Sequence, residues 1–303
     1  MKLSAPIDLQ LVRRLFARPD RIKSSQFLRR EIAARMREKL ELVKLQPSRV
    51  LDAGCGECAD LAQLQDSFPE AFVVGLDASY DLLAQGVQER KESVSAMGRI
   101  LQKWLPTALR LDSGSELLCA DFAHVPLAAN SVDLIWSNLA LHWHPQPDAV
   151  FADWKRVLRN DGLLMFSCFG PDTLIEVRQA FAELDQQSHT LPFVDMHDFG
   201  DMLVNSGFST PVMDMEKLTI TYTDIDRMLA DVRALGGNPL QTRPKGMLGK
   251  HAYRRLRASF EAMRNSDGKI PLTLEVIYGH AFKPIATKRA SGEAIIRLDF
   301  PKK

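Results

Sequence analysis

The stretch Val50–Leu61, VLDAGCGECADL, holds several residue types able to do chemistry. Cys55 and Cys58 form a C-x-x-C pair, the spacing of redox dithiols and of half a zinc site. Gly54 to Ala59 also fits the G-x-G-x-x-G/A turn of dinucleotide sites. Asp52-Ala53-Gly54-Cys55-Gly56 is equally the core of a loop that holds S-adenosylmethionine. Asp52 separates the last two chemistries. A pyrophosphate beside it would meet a like charge, at a cost of about 3 kcal/mol at roughly 5 Å and an effective dielectric near 20. An ammonium and a sulfonium are cations and would be attracted, while the lone carboxylate of that ligand could take the loop N–H groups. Zinc needs two further ligands. Cys119 and Cys168 would have to come from the ends of two other strands, so apolar filling under the loop is the preferred role for the cysteines.

Further acids stand at matching places. Asp77, with Ala78 beside it, ends the second apolar strand, where a carboxylate can accept from both ribose hydroxyls. Asp121-Phe122 ends the third, suited to an adenine amino group and ring. Asn138 ends the fourth, near where a methionine moiety would sit. His142 and Trp143 follow it, facing the same space.

These residues must be positioned by alternating strands and helices. RVLDAG, AFVVGLDAS, ELLCADF, SVDLIWSNLAL and GLLMFSCFG read as strands, near-continuous apolar runs that imply a sheet covered on both faces. ADLAQLQDSF, YDLLAQGVQERKESV, PDAVFADWKRVLRND and DTLIEVRQAFAEL read as the helices between them. PVMDMEKLTITYT and IPLTLEVIYGHAF complete seven strands. DIDRMLADVRAL and HAYRRLRASFEAMRN, between the last two, form a helical lid over about 224–266. Four segments are expected: a basic helical segment over 1–45, a cofactor-binding core over 46–192, the end of the sheet with its lid over 193–283, and a tail over 284–303 with one short strand, AIIRLDF.

The chain has 303 residues, 46% hydrophobic and 25% charged, and a formal net charge of +1. It is therefore no polycation, and a nucleic-acid partner is not expected. No apolar run reaches the 18 residues of a membrane span. Four cysteines at this length do not form a secreted disulfide framework, and the first ten residues lack a secretory apolar run, so a cytoplasmic location is expected. Charge is uneven. Leu11 to Lys44 carries eleven Lys/Arg against four acids, a net +7 that leaves −6 elsewhere. Such a face suits an acidic partner.

VLDAGCG, VVGLDAS, LLCADF, VDLIWSNLALHW, RVLRNDGLLMFSCFGPDTL and ADVRALGGNP together resemble the malonyl-acyl carrier protein O-methyltransferases of biotin synthesis, over about Val12 to Phe282. The first three motifs are common to class I methyltransferases; WSNLALHW and FGPDTL are more specific. The same stretches are similar to a mitochondrial complex I assembly methyltransferase-like protein with arginine hydroxylase activity. Cys58 stands where a third glycine is usual. A Tyr-Asp pair of the family's N-terminal segment has no counterpart in ARPDRIKSSQFLRRE.

The resemblance implies a Rossmann-like α/β fold, a seven-stranded mostly parallel sheet with helices on both faces and a helical lid. It also implies S-adenosylmethionine as methyl donor, no metal, and methyl transfer to the free carboxyl of a malonyl thioester on an acyl carrier protein. Arginine hydroxylation, or methylation of another small carboxylate, is the alternative. A carboxylate nucleophile is already anionic, so no general base is required and no catalytic residue is assigned. Cofactor contacts are expected from Asp52, Gly54, Cys55, Gly56, Asp77, Ala78, Asp121, Phe122 and Asn138. Substrate contacts are expected from His142, Trp143, Arg233 and Arg243, with Lys245 near them. The basic N-terminal segment, with Arg254, Arg255 and Arg257, is the expected docking face for the acidic carrier.

Overall fold

The computed structural model describes residues 5–93 and 115–285. The segment 95–115, longer than the fold needs before its third strand, and the strand AIIRLDF fall outside these residues except for Ser115. Seven strands form one sheet: β1 (Arg49–Ala53), β2 (Phe72–Asp77), β3 (Ser115–Cys119), β4 (Val132–Asn138), β5 (Leu158–Phe169), β6 (Ser209–Tyr222) and β7 (Ile270–Phe282). Their order is β3-β2-β1-β4-β5-β7-β6. The first five are parallel; β7 runs antiparallel to both β5 and β6. The order reverses between β1 and β4, so a crevice opens at their carboxyl ends. Asp52 and Asn138 lie there.

The described helices are α1 (Leu9–Phe16), α2 (Pro19–Ile22), α3 (Gln26–Glu41), α4 (Leu61–Ser67), α5 (Tyr80–Ser93), α6 (Pro147–Val157), α7 (Ile175–Ala182), α8 (Met196–Asn205), α9 (Ile225–Ala234) and α10 (Lys250–Ala262). In α3 the four-residue spacing of Ile32, Met36 and Leu40 makes one apolar stripe, and all three are buried. That stripe packs with Leu61 and Leu64 of α4 and with Met228, Leu256 and Phe260 of the two late helices. On the other face, Phe151 and Trp154 of α6 and Phe199 and Leu203 of α8 cover Phe166. Each such side chain contributes about 1.5–3 kcal/mol on burial.

One expected helix is shorter than its sequence pattern. PDAVFADWKRVLRND continues as helix only to Val157, and Leu158 already pairs with Val132 as β5. The last carbonyls of α6 are claimed by the approach to β4: Asn130 N–H donates to Arg156 O and Ser131 N–H to Val157 O. Asp161 then turns the chain at a left-handed φ of 65°.

The N-terminal segment folds back over the strand ends. Asp8 caps α1 by accepting from Leu11 N–H at 3.0 Å. Asp8 N–H donates to Pro239 O, Gln241 N–H to Pro6 O, and Ser25 Oγ–H to Ala234 O. These bonds tie the first helices to the segment between β6 and β7.

Candidate active site

Two cavities adjoin at the crevice and share one wall, Trp143. The first, about 820 Å³ including its solvent-open part, lies over the loop after β1. Gly54 (φ 84°) lets the backbone turn against Ala140; a Cβ there would lie 2.4 Å from the Ala140 Cβ. Gly56 donates its N–H to Asp77 Oδ2 at 2.9 Å, and Ser79 N–H donates to Asp77 Oδ1 at 2.7 Å. Gly54 and Cys55 N–H both donate to Leu76 O. Three loop amides are thus engaged within the protein. The expectation that they take a ligand carboxylate does not hold, because the loop spends them on fixing β2.

Four carboxylates line this cavity, Asp52, Glu57, Asp60 and Asp77, against two guanidiniums, Arg13 and Arg29. Both cations are already paired: Arg13 with Asp121 at 3.1 Å and Arg29 with Glu57 at 2.5 Å. Asp52 is only 1% exposed, and its Oδ2 has no hydrogen-bond partner. Burial, then the neighbouring Asp60, pushes its carboxyl well above the ordinary range. Burial also raises Asp60, against the donors Trp136 Nε1 at 3.0 Å and Asn138 Nδ2 at 3.2 Å. The same cause raises Asp77, opposed by the Ser79 and Gly56 amides.

Of the expected cofactor residues, Asp52, Gly54, Cys55, Gly56, Asp77, Ala78, Phe122 and Asn138 line this cavity. Asp121 does not. Its carboxylate turns to Arg13 and to the Ala123 N–H, at 2.9 Å, so it anchors α1 rather than facing the adenine place. Asn138 is also a strut: it accepts from Ser167 Oγ at 2.8 Å and donates to Arg29 O at 3.0 Å. Sequence reasoning placed Arg13 and Arg29 on the basic docking segment rather than at this cavity, and missed Phe16 and the acids Glu57 and Asp60. Arg29 had a signal. It stands four, seven and eleven residues before the buried Ala33, Met36 and Leu40, on the inward stripe of its helix.

Cys55 and Cys58 are buried with their sulfurs 3.9 Å apart. The contact with Cys58, then burial, pushes the Cys55 thiol up, which opposes a reactive thiolate. Cys58 adopts the left-handed φ of 62° that favours glycine. That conformation costs roughly 1–2 kcal/mol for a side-chain-bearing residue. Its side chain, 3% exposed, returns a similar amount by packing. Cys58→Gly should therefore shift Tm by less than about 5 °C and keep or tighten S-adenosylhomocysteine binding, read by calorimetry. Activity that depends on the thiols' redox state would return the C-x-x-C reading.

The second cavity, about 910 Å³ including open space, is lined by no Asp or Glu. Its walls are mainly apolar, with Trp143, Phe169, Phe181 and Phe193 among them, and two guanidiniums, Arg21 and Arg233, reach it. Arg243 does not; its Nη1 donates to Leu240 O at 3.1 Å. Lys245 is exposed and outside the lining. His142 packs beside the cavity against Trp143, Phe169 and Phe193, with ring centroids 4.9, 5.0 and 5.7 Å away. Both its nitrogens are buried without a partner, and burial lowers its pKa to about 3. It is therefore neutral, so it can offer a carboxylate a hydrogen bond but not an ion pair.

The expected docking face is also partly spent. Arg35 pairs with Glu31 and Glu216, Lys39 with Asp214 and Arg257 with Asp226; Arg255 donates to Glu183 O. A helix lying across a sheet meets the carboxylates of the neighbouring strand, here β6, and binds them internally. Arg30 and Arg254 are exposed and have no ion-pair partner among the described residues.

Among the described residues, no group of three or more His, Cys, Asp or Glu side chains could hold a metal ion, and no helix is long and apolar enough to cross a membrane. A methyltransferase-domain family model matches residues 51–166. The structure resembles the Bacillus subtilis YcgJ protein (TM-score 0.55, 14% identity, 83% of this chain and 98% of that one). It also resembles a putative methyltransferase from Bacillus halodurans (TM-score 0.54, 16% identity, 82% and 99%). Malonyl-(acyl-carrier protein) O-methyltransferase of Gallionella capsiferriformans is 45% identical over 97% of both chains. The protein of the same name from Laribacter hongkongensis is 42% identical over 86% of this chain and 84% of its own. None of these relatives carries an arginine hydroxylase name. With the class I sheet and a carboxylate-rich crevice in place, the chain belongs to the malonyl-(acyl-carrier protein) O-methyltransferase family.

Proposed function

We propose that this protein transfers a methyl group from S-adenosylmethionine to the free carboxylate of a malonyl thioester on acyl carrier protein, the masking step early in biotin synthesis. One observation carries this reading: two cavities of opposite charge share the Trp143 wall. The carboxylate-rich one suits a cation, and the one without acids suits an anion. The orphaned Oδ2 of Asp52 fits an ammonium donor.

S-adenosylmethionine supplies a sulfonium methyl. Asp52 would hold its ammonium, Asp77 its ribose hydroxyls and Phe122 its adenine ring. Arg29, with the loop amides occupied, is the cation left to face its carboxylate. In the transfer an O–CH3 bond forms as the S–CH3 bond breaks, and both charges vanish. Trp143 and Phe16, ring centroids 5.2 Å apart, exclude water where this happens. Charge annihilation is favoured in such a dry site, so alignment and desolvation do the chemical work. His142 would donate one ring N–H to the acceptor. A cytoplasmic location fits four unpaired cysteines.

The test is to incubate the protein with labelled S-adenosylmethionine and malonyl-acyl carrier protein and to look for an alkali-labile methyl ester. No ester, with donor binding intact, removes the reading. Ester on another small carboxylate alone would shift it to that substrate.

His142→Phe tests the donor role. Phenylalanine suits the aromatic pocket and removes an unpaired buried polar group worth about 1–3 kcal/mol. The variant should melt higher yet lose about tenfold in kcat/KM for the acceptor. A pH series gives a second signature. A histidine with a depressed folded pKa destabilises the fold as pH falls from about 6.5 toward about 3. The wild type should show that loss relative to the variant.

A further inference from the structure

We propose that Arg21 and Arg233 together hold the acceptor's free carboxylate and select acyl groups that end in an anion; this rests on the reading of the second cavity as the acceptor site. The two residues come from opposite ends of the chain, α2 and α9, and meet at one cavity. Neither forms an ion pair among the described residues, and no acid lines the cavity; Asp226, which feels the charge of Arg233, is itself bound by Arg257 and the Tyr253 hydroxyl. The N-terminal cations that reach the first cavity or cross to the sheet behave differently. Arg13, Arg29, Arg35 and Lys39 each bind a carboxylate of the protein itself. The remaining cationic candidate, His189, is taken by Asp185 at 2.9 Å and stacks on Phe181. Two guanidiniums thus reach a cavity that has no acid in its lining, beside an apolar wall, the arrangement that recognises a carboxylate.

Two glycines lie between the shared Trp143 wall and Arg21. A Cβ on Gly236 would lie 2.5 Å from the Trp143 ring, and a Cβ on Gly237 would lie 3.7 Å from Arg21 Nη2. Both glycines have positive φ, 123° and 80°. The Gly-Gly step, one peptide unit of about 3.8 Å, therefore runs between the shared wall and the Arg21 guanidinium. A short acyl chain spans that distance. Arg21 belongs to the N-terminal segment, so the segment supplies part of the acceptor site and not merely a cover.

The experiment uses the full chain, saturated with S-adenosylhomocysteine. Binding of malonyl-pantetheine and acetyl-pantetheine, both without phosphate, is measured by calorimetry for the wild type, Arg21→Gln, Arg233→Gln, the double variant and Arg21→Lys. KM for malonyl-acyl carrier protein is measured alongside. Each Gln variant should weaken malonyl-pantetheine about tenfold and the double variant at least as much as either; Arg21→Lys should recover part of the loss. Acetyl-pantetheine binding and S-adenosylhomocysteine affinity should stay within about twofold. Undetectable malonyl-pantetheine binding by the wild type, or unchanged binding by the double variant, overturns the proposal. So does an effect seen only with the phosphate-bearing carrier, which would assign the arginines to the pantetheine phosphate. Ester formation at unchanged KM in the double variant removes the clamp and leaves the methylation reading standing. Arginine-dependent malonyl binding without ester in the wild type does the reverse.

Discussion

Asp52→Asn weakens S-adenosylmethionine binding by at least about 100-fold while leaving the folded protein equally or more stable. The two effects have one cause. Asp52 sits at the end of β1, 1% exposed, with one carboxylate oxygen unpartnered and three further carboxylates lining the same cavity. Without ligand this is an unfavourable placement of charge, and asparagine relieves it. With ligand, the same carboxylate gains a charge-assisted hydrogen bond inside a partly closed site. Truncating such a pair costs about 2–5 kcal/mol, hence a factor of 100 or more. Calorimetry with S-adenosylhomocysteine and a thermal melt of the free protein read both halves. Tight binding by the variant would move the ammonium contact elsewhere.

The pH dependence follows with a definite sign. A carboxyl whose folded pKa is raised takes up a proton more readily folded than unfolded. For Asp52 the free protein therefore loses stability as pH rises from the ordinary carboxylate range through the elevated value. Cation binding needs the ionised form, so ligand affinity rises over that same window. Asp60 and Asp77, raised in the same direction, add to the slope. The difference between wild type and Asp52→Asn isolates the Asp52 share.

Arg29→Glu is expected to destabilise the fold by about 3–5 kcal/mol and to abolish donor binding, whereas Arg30→Glu should change stability by less than about 0.5 kcal/mol. The residues are adjacent in sequence but opposite in surroundings. Arg29 points inward, 22% exposed, bonded to Glu57, the Ser25 Oγ and the Ile22 carbonyl, and it lines the donor cavity. A glutamate there faces the buried Glu57 with no cation between them. Arg30 is exposed with no ion pair among the described residues. Chemical denaturation and a binding titration on the two variants separate these roles. Equal effects would show that helix α3 tolerates charge reversal on both faces.

The parallel strands were readable because each is a continuous apolar run, and their ends carry the acids. Asp52, Asp77 and Asn138 were therefore found by position alone. What escaped notice was charge buried by tertiary contact. Glu57 and Asp60 look like ordinary polar residues opening a helix, yet Arg29, Trp136 and Asn138 satisfy them inside the cavity. Asp121 is turned from the cavity by a partner, Arg13, that arrives from 108 residues away. The neutral, desolvated state of His142 was not legible, since a sequence does not show the three aromatic rings that dehydrate it. The docking face was read from net charge, which counts arginines that the fold neutralises.

The N-terminal helices contribute Val12, Arg13, Phe16 and Arg29 to one cavity and Arg21 to the other, and Phe16 rests on the wall between them. A single piece of chain thus lines both cavities. Ligand in either cavity would stabilise the same helices, so amide exchange across α1 should slow when either cavity fills.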